Sequence, residues 1–255
     1  MTTIHRFYID TSLGEVGEAF GVDDPDLVHQ VANVLRMRKG EHINLFSCPP
    51  SVGGMSLRVP EAIQSSSSRE LTYEILELTK KSLLLKGISE VTRPLPRREV
   101  HLYFSLLKGD HTELVLEKCT EIGVTHFHPV IFERSQIKDL SGNKRVRAER
   151  IIKEALEQSE NIIMPVLHDV VASQDLKDIE TPAFLAYERT STSKNLHEVS
   201  LDKSKLVSLF VGPEGGITDT EKEYLVSLGT DVVTLGHSIL RAETACIVGS
   251  YVLLA

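Results

Sequence analysis

Between His5 and Ile88, short runs rich in branched and aromatic side chains (HRFYI, HINLFS, LTYEILEL, SLLLKGI) alternate with turn formers such as PPSVGG and SSSS. Runs of that length and composition predict the strands of a small β-barrel. One helix interrupts them. Asp24 stands where a cap is needed, Pro25 suits the first helical position, and Leu27, Val28, Val31, Val34 and Leu35 recur at helical spacing. Arg36, Arg38 and Lys39 crowd its end before Gly40, which favours the helix dipole and also suits phosphate.

The rhythm changes after VTRPLPRRE, whose prolines and arginines offer nothing to a core. This stretch is expected to join a first domain over 1–92 to a second over 98–255. From VHLYFSLL onward, strands alternate with helices. A helix through Leu114, Val115, Cys119 and Ile122 ends at Gly123, the strand HFHPVIF follows, and a helix from about Lys144 to Gln158 carries Ala148, Ile151, Ile152, Ala155 and Leu156 on one stripe. Further strands are expected at AFLAYE, VSLFVG and VVTLG. Between the last two, Thr218 and Glu221 form the T-x-x-E capping box of a helix that buries Tyr224, Leu225 and Leu228 and stops at Gly229. A final helix from about Glu243 to Leu254 is apolar nearly all round, so burial within the domain or against a partner subunit is expected. The fold class that results is α/β, a parallel sheet with helices on its faces, preceded by the small barrel.

Composition narrows the classes. Hydrophobic residues at 41% and charged residues at 25% are ordinary for a globular chain, and no apolar run approaches the roughly 20 residues that span a bilayer. The segment MTTIHRFYIDTS lacks the features of a secretory signal, so a cytoplasmic protein is expected. Cys48, Cys119 and Cys246 are far apart with no CxxC pair, which favours reduced, buried thiols over disulfides or structural zinc. A cysteine hydrolase is disfavoured, because Cys48 falls in a barrel loop and the other two inside helices. His126 and His128 share one strand face at a spacing that suits a metal, yet no third ligand stands nearby in sequence; packing is expected, and no metal. The net charge of -8 runs against a nucleic-acid partner. Basic residues nevertheless cluster at Arg36 to Lys39, Lys80 and Lys81, Arg93 to Arg98, and Lys144 to Lys153, so an acidic chain still presents basic surface.

Two segments carry the chemistry. In VSLFVGPEGGITDTEKEYL an apolar strand delivers a Gly-Pro-Glu-Gly-Gly loop to a helix start, at the carboxyl end of a strand where open parallel sheets collect ligands. The glycines permit close backbone approach and positive φ, and Pro213 stiffens the turn. The loop lacks the Lys-Ser/Thr pair of an ATPase phosphate loop and is not GxGxxG; Glu214 at its centre suits a ligand with positive charge or hydrogen-bond donors. VVTLGHSILRAETACIVGSYVLLA repeats the design, with Arg241 and Glu243 just before an apolar run. A structural reading pairs Arg241 with a carboxylate and lets Glu243 and Thr244 cap the terminal helix. A functional reading offers that helix start and its arginine to a ligand or to a base gaining negative charge.

GPEGG, then LG, ILR and ETA at this spacing, together with HRFYI, VLRMRKGE (Val34 to Glu41), KGDHTELVLEKCTEIGVTHFHPV (Lys108 to Val130) and EALEQS, resemble the RsmE family of 16S ribosomal RNA uridine-N3 methyltransferases, in the SPOUT superfamily. The resemblance covers the whole chain. It implies an amino-terminal PUA-like barrel that holds RNA, and an α/β domain whose last segments form a trefoil knot, an exception among folds. It implies an S-adenosylmethionine site completed across a homodimer, with contacts from Leu185, Tyr187, Glu188, Val211, Gly212, Pro213, Glu214, Gly215, Gly216, Leu235, Gly236, Ile239, Leu240, Arg241, Thr244 and Ala245. Arg241 and Glu243 are the expected catalytic pair, the first stabilising charge on the base and the second, or Glu214, taking its proton. Arg6, Arg36, Arg38, Lys39 and Lys108 are the expected RNA contacts, with 16S rRNA or the small subunit as partner. Family members often carry an arginine after EQS and Pro-Arg between LG and ILR; this chain has Glu160 to Ile162 and His237-Ser238 there. Those losses of positive charge leave open a superfamily methyltransferase acting on another rRNA or tRNA position, or a catalytically silent RNA-binding assembly factor.

Overall fold

The structure, a computed structural model, describes residues 4–47, 68–93, 98–188, 194–201 and 205–255. Cys48, Arg97 and most of the PPSVGG to SSSS stretch lie outside the described residues. Two compact units divide the chain, Met1–Leu95 and Pro96–Ala255.

The first unit contains β1 (His5–Tyr8), β2 (Ala19–Val22), α1 (Pro25–His29), β3 (His42–Ser47), β4 (Ser68–Leu78) and β5 (Leu83–Arg93). They form one sheet in the order β1-β3-β4-β5-β2, with β1 parallel to β3 and the remaining pairs antiparallel. Alternation fixes its buried face: Ile43 and Leu45, then Leu71, Tyr73 and Ile75, then Leu83 and Leu85 are all at most 1% exposed. Two features depart from expectation. β2, with its central glycine and mostly uncovered side chains, gives no hydrophobic alternation to detect. β5 runs through Val91 to Arg93, into the stretch read as a connection, because Ser68 to Glu70 pair with it and Glu70 accepts a hydrogen bond from Arg93 Nε at 3.0 Å.

Asp24 caps α1 as expected, accepting from the amides of Asp26 and Leu27. The helix then widens into a π-helical turn over Gln30–Val34, closed by Leu35 N–H donating to Gln30 O at 2.9 Å. The extra residue per turn rotates the stripe, so Leu27, Val28 and Val31 are buried while Val34 is 63% exposed.

The second unit begins with β6 (Glu99–Ser105), α2 (His111–Ile122), β7 (His126–Ile131) and α3 (Asn143–Gln158). The short strands β8 (Val166–Leu167) and β9 (Val171–Ala172) follow, then β10 (Ala183–Ala186) and β11 (Lys194–Asn195). It ends with β12 (Leu206–Val211), α4 (Asp219–Ser227), β13 (Thr230–Thr234) and α5 (Ala242–Leu254). The sheet order is β11-β13-β10-β12-β6-β7-β8, with β9 also beside β7, and every pair is parallel. The central strands are apolar on both faces because both are covered. Val100, Leu102, Phe104 and Leu209 meet α2, α3 and α5 on one side. Tyr103, Leu185 and Phe210 meet Ile217 and Leu225 on the other. Gly249 lets α5 lie against β12, since a Cβ there would sit 2.7 Å from Leu209 Cδ2.

The terminal helix is only half enclosed. Cys246, Gly249, Ser250 and Leu253 are buried, whereas Val248 is 37% and Tyr251 61% exposed. Arg98, counted as basic surface from sequence, instead donates to the Leu253 and Leu201 carbonyls and ties the start of β6 to the end of α5.

Candidate active site

At the carboxyl ends of β10 and β13, where parallel sheets present ligand sites, an open cleft is lined by Ala186 to Glu188, Thr234 to Leu240 and Ala245. Of the residues expected to contact a cofactor, Tyr187, Glu188, Leu235, Gly236, Ile239, Leu240 and Ala245 meet here. Leu185 lies one residue behind, 0% exposed in the core. Val211, Gly212, Pro213, Glu214, Gly215, Gly216, Arg241 and Thr244 are outside its wall. Gly236 adopts φ 132°, a conformation that side-chained residues rarely reach, with nothing within 4 Å of where its Cβ would stand. Tyr187 forms part of the floor, with Lys222 Nζ 5.1 Å from its ring centroid and its hydroxyl 3.5 Å from Asp219 Oδ1.

The GPEGG turn is held from several sides. A Cβ on Gly212 would lie 2.4 Å from Ile217 Cγ1, Gly216 N–H donates to Pro213 O at 2.8 Å, and Glu214 Oε1 accepts from Lys108 N–H at 3.2 Å. Arg134, just past β7, donates to Gly215 O at 3.1 Å. Below it the capping box of α4 forms as expected: Thr218 Oγ1 accepts from Glu221 N–H, and Glu221 Oε2 accepts from Thr218 N–H and Oγ1. Glu221 does more than cap. Its Oε1 also accepts from Glu133 N–H at 2.8 Å and Ser173 Oγ at 2.9 Å. Burial pushes its pKa up, but the donors from Glu133, Thr218 and Ser173 outweigh it, and the net shift is downward.

The start of α5 is arranged otherwise. Arg241 is its N-cap residue, exposed, and bonds to no described side chain, and no side chain caps the helix. The structural reading of an Arg241–carboxylate pair with Glu243 and Thr244 as caps is therefore corrected. Glu243 is 7% exposed and instead approaches His111 Nδ1 at 3.3 Å, an ion-pair distance without hydrogen-bond geometry. The first-turn amides of α5 are left for a ligand.

Arg6 is also corrected as an RNA contact. Its side chain is 6% exposed, its Nε donates to Glu70 Oε2 at 3.1 Å, and its guanidinium lies 3.5 Å from the Phe46 ring centroid. A charge consumed inside the unit is not offered to phosphate. Arg36, Arg38, Lys39 and Lys108 are exposed. Cys119 and Cys246 are buried free thiols whose pKa values burial raises, the reverse of nucleophile activation.

A family model described as an RNA methyltransferase domain matches residues 93–253. The ribosomal RNA small subunit methyltransferase E of Bacillus subtilis is 31% identical to this chain, the match covering 95% of this chain and 93% of that protein. The chain belongs to the ribosomal RNA small subunit methyltransferase E family. The enzyme of that name from Rickettsia conorii is 28% identical over 95% of this chain and 92% of its own. Among solved structures, the Neisseria gonorrhoeae ribosomal RNA small subunit methyltransferase E bound to S-adenosyl methionine superimposes with a TM-score of 0.79, at 26% identity and over 97% of this chain and 95% of that one.

Thr234 of the cleft wall escaped the sequence reading, as did four residues that contact Glu243, Gly215 or Tyr187. His111 opens α2 after β6 and Arg134 lies in the turn after β7, and their signal was available: both follow the carboxyl edge of a parallel strand, the edge already chosen for the glycine loops. Asp219 and Lys222 were visible only as an i,i+3 charge pair on a helix, which is ordinary on any surface.

Proposed function

We propose that this protein transfers a methyl group from S-adenosylmethionine to N3 of a uridine in 16S ribosomal RNA. The observation that carries the reading is the cleft at the ends of β10 and β13, whose wall is a backbone turn opened at Gly236 and whose lining includes Leu240 and Ala245, on either side of the uncapped start of α5. S-adenosylmethionine suits that wall: backbone groups of 235–240 meet its adenine and ribose edges, and the Tyr187 ring offers an apolar surface. It supplies an electrophilic methyl carbon whose bond breaks toward sulfur. The chain does the rest. Glu243, buried beside His111, takes the N3 proton, and the N3 electron pair so freed forms the new bond. Arg241 offsets charge developing on the ring carbonyls.

Val211 to Gly216, Thr244 and Leu185 complete the cofactor site from behind the cleft wall, and the terminal segments form the trefoil knot that the family resemblance implies. The first unit is the PUA-like RNA-binding domain, divided from the methyltransferase domain at 92–98; its five-stranded sheet supports that assignment. Arg36, Arg38 and Lys39 there, and Lys108 in the second unit, contact phosphate. The active form is a cytoplasmic homodimer: Ile239 at the cleft and Tyr251 and Val248 on α5, 77%, 61% and 37% exposed, are apolar side chains that a second copy would cover. Among the described residues no helix is long and apolar enough to cross a membrane.

Calorimetric titration with S-adenosylmethionine, followed by mass mapping of methylated nucleotides in rRNA from a deletion strain with and without the chain restored, tests the reading. Saturable binding and one restored N3-methyluridine are expected. Absent binding would leave a silent assembly factor, and methylation at another position would reassign the substrate. RNA affinity is expected to fall steeply with salt, and a flat response would remove the phosphate contacts.

A further inference from the structure

At the amino ends of β6 and β7, away from the cleft, four histidines come together. In the parallel register of β6 with β7, His101 stands opposite His126 and Tyr103 opposite His128, so alternation puts all four rings on one face of the sheet. His168 reaches the group from just past β8, its N–H donating to Phe127 O at 2.9 Å. Ring centroids are 4.0 Å apart for His101 and His126, and 3.9 Å for His128 and His168. Two contacts link imidazole nitrogens directly: His128 Nε2 to His101 Nδ1 at 3.2 Å, and His126 Nδ1 to His168 Nε2 at 3.0 Å.

Each neutral imidazole has one N–H and one lone pair. Two histidine–histidine hydrogen bonds use half of those groups and leave lone pairs over. His101 Nε2 is buried, in a residue 7% exposed, and has no hydrogen-bond partner. An apolar stack would fill this space without the cost of an unpaired buried nitrogen. One ligand nitrogen from each of His101, His126 and His128 lies within 4.8 Å of the others. Burial and the neighbouring imidazoles keep protons off these rings, lowering His101 to about 2, His126 to about 4 and His128 further. His168 is also lowered, by burial and by Arg145 against the opposing pull of Asp169. Metal coordination uses unpaired imidazole lone pairs of this kind.

We propose that His101, His126 and His128 bind a divalent transition-metal ion, Zn2+ being the best fit, with His168 packed beside them and the fourth position left to water. Imidazole is a preferred ligand of Zn2+, and tetrahedral bonds of about 2.0–2.1 Å set the nitrogens roughly 3.4 Å apart. His128 and His168 are only partly buried and give the ion a way in. The site lies at the opposite strand ends from the cleft, so its role is to clamp β6 to β7, independently of methyl transfer.

The test uses the full chain, stripped with chelator and titrated with ZnSO4 alone against a chromophoric competitor, and with Co2+ for its spectrum. One ion per chain, a rise in Tm with added Zn2+, and the visible absorption of tetrahedral nitrogen-bound Co2+ are expected. H128F, which keeps an aromatic ring against Tyr103, and H101Q are each expected to weaken binding roughly tenfold to a hundredfold or more. H42A and H197A, which remove exposed histidines, should leave it unchanged. An octahedral Co2+ spectrum in the unaltered protein, or affinity lost in H42A or H197A but kept in H128F, would overturn the proposal, and the spectrum decides it even if a cluster variant does not fold.

Discussion

Two strand–turn–helix segments of this protein have the same plan in sequence and opposite construction in space. The turn after β12 is fastened: Ile217 fills the space beside Gly212, Lys108 and Arg134 hold Glu214 and Gly215, and Glu221 gathers donors from four groups. The turn after β13 is loose. Ile239 is 77% exposed, Arg241 bonds to no described side chain, and α5 starts without a cap. Groups already paired inside the protein are unavailable to a ligand, whereas unpaired donors at a helix start become available with little reorganisation. The glycine-rich sequence GPEGG, the more conspicuous of the two, is therefore the more tightly held, and the plainer LGHSILRAET keeps unpaired donors at a helix start.

Substitutions can break this contrast. Arg241→Ala should cause the largest change, lowering turnover roughly 10²–10³-fold, the cost of removing one charge-stabilising donor. Its Tm should stay within a degree or so, because Arg241 supports nothing else; normal turnover with unchanged cofactor affinity would reject its role. Glu221→Ala should do the reverse. It leaves Glu133 N–H and Ser173 without their acceptor, costing about 2–3 kcal/mol, and thermal unfolding should show a Tm lower by roughly 4–12 °C.

Gly212→Ala sets a methyl against Ile217 and should cost about 1–3 kcal/mol of stability by denaturant titration. Because Glu221 has a lowered pKa in the folded state, its contribution is complete above the unfolded value of about 4.3 and is lost as pH falls through the folded one. Acid should thus lower the hydrogen-exchange protection factors, corrected for intrinsic rate, at Thr218 to Lys222 before it affects those of the amides that open α5. The smallest effect should come from Ile239→Ser, within about 0.5 kcal/mol in stability, read instead as a lower sedimentation-derived association constant if a second copy covers that margin.

Much of this was legible in the chain because it depends on period and local chemistry. Strands β3 to β7, the stripe on α3, the left-handed stop at Gly123 and the Thr218–Glu221 box all follow from residues within a few positions of one another. What failed depends on register. The burial of Arg6 required knowing that β1 would lie beside β3 and bring it within reach of Glu70, far along the sequence. The third histidine beside His126 and His128 was sought nearby in sequence, but His101 arrives from the neighbouring strand. Val34 was lost to a single π-turn that no spacing rule anticipates.

The parallel sheet also dictates when the second unit can fold. Its central partnership joins Glu99 to Leu206 and Phe104 to Val211, so the strand made first waits for one synthesised more than a hundred residues later. Arg98 waits longer still, since one of its acceptors is the carbonyl of Leu253. Long-range closures of this kind are slow, and the apolar β6 and β7 stay exposed to solvent throughout. Ribosomal synthesis of this chain should therefore release the first unit folded while the second is still seeking its middle strand.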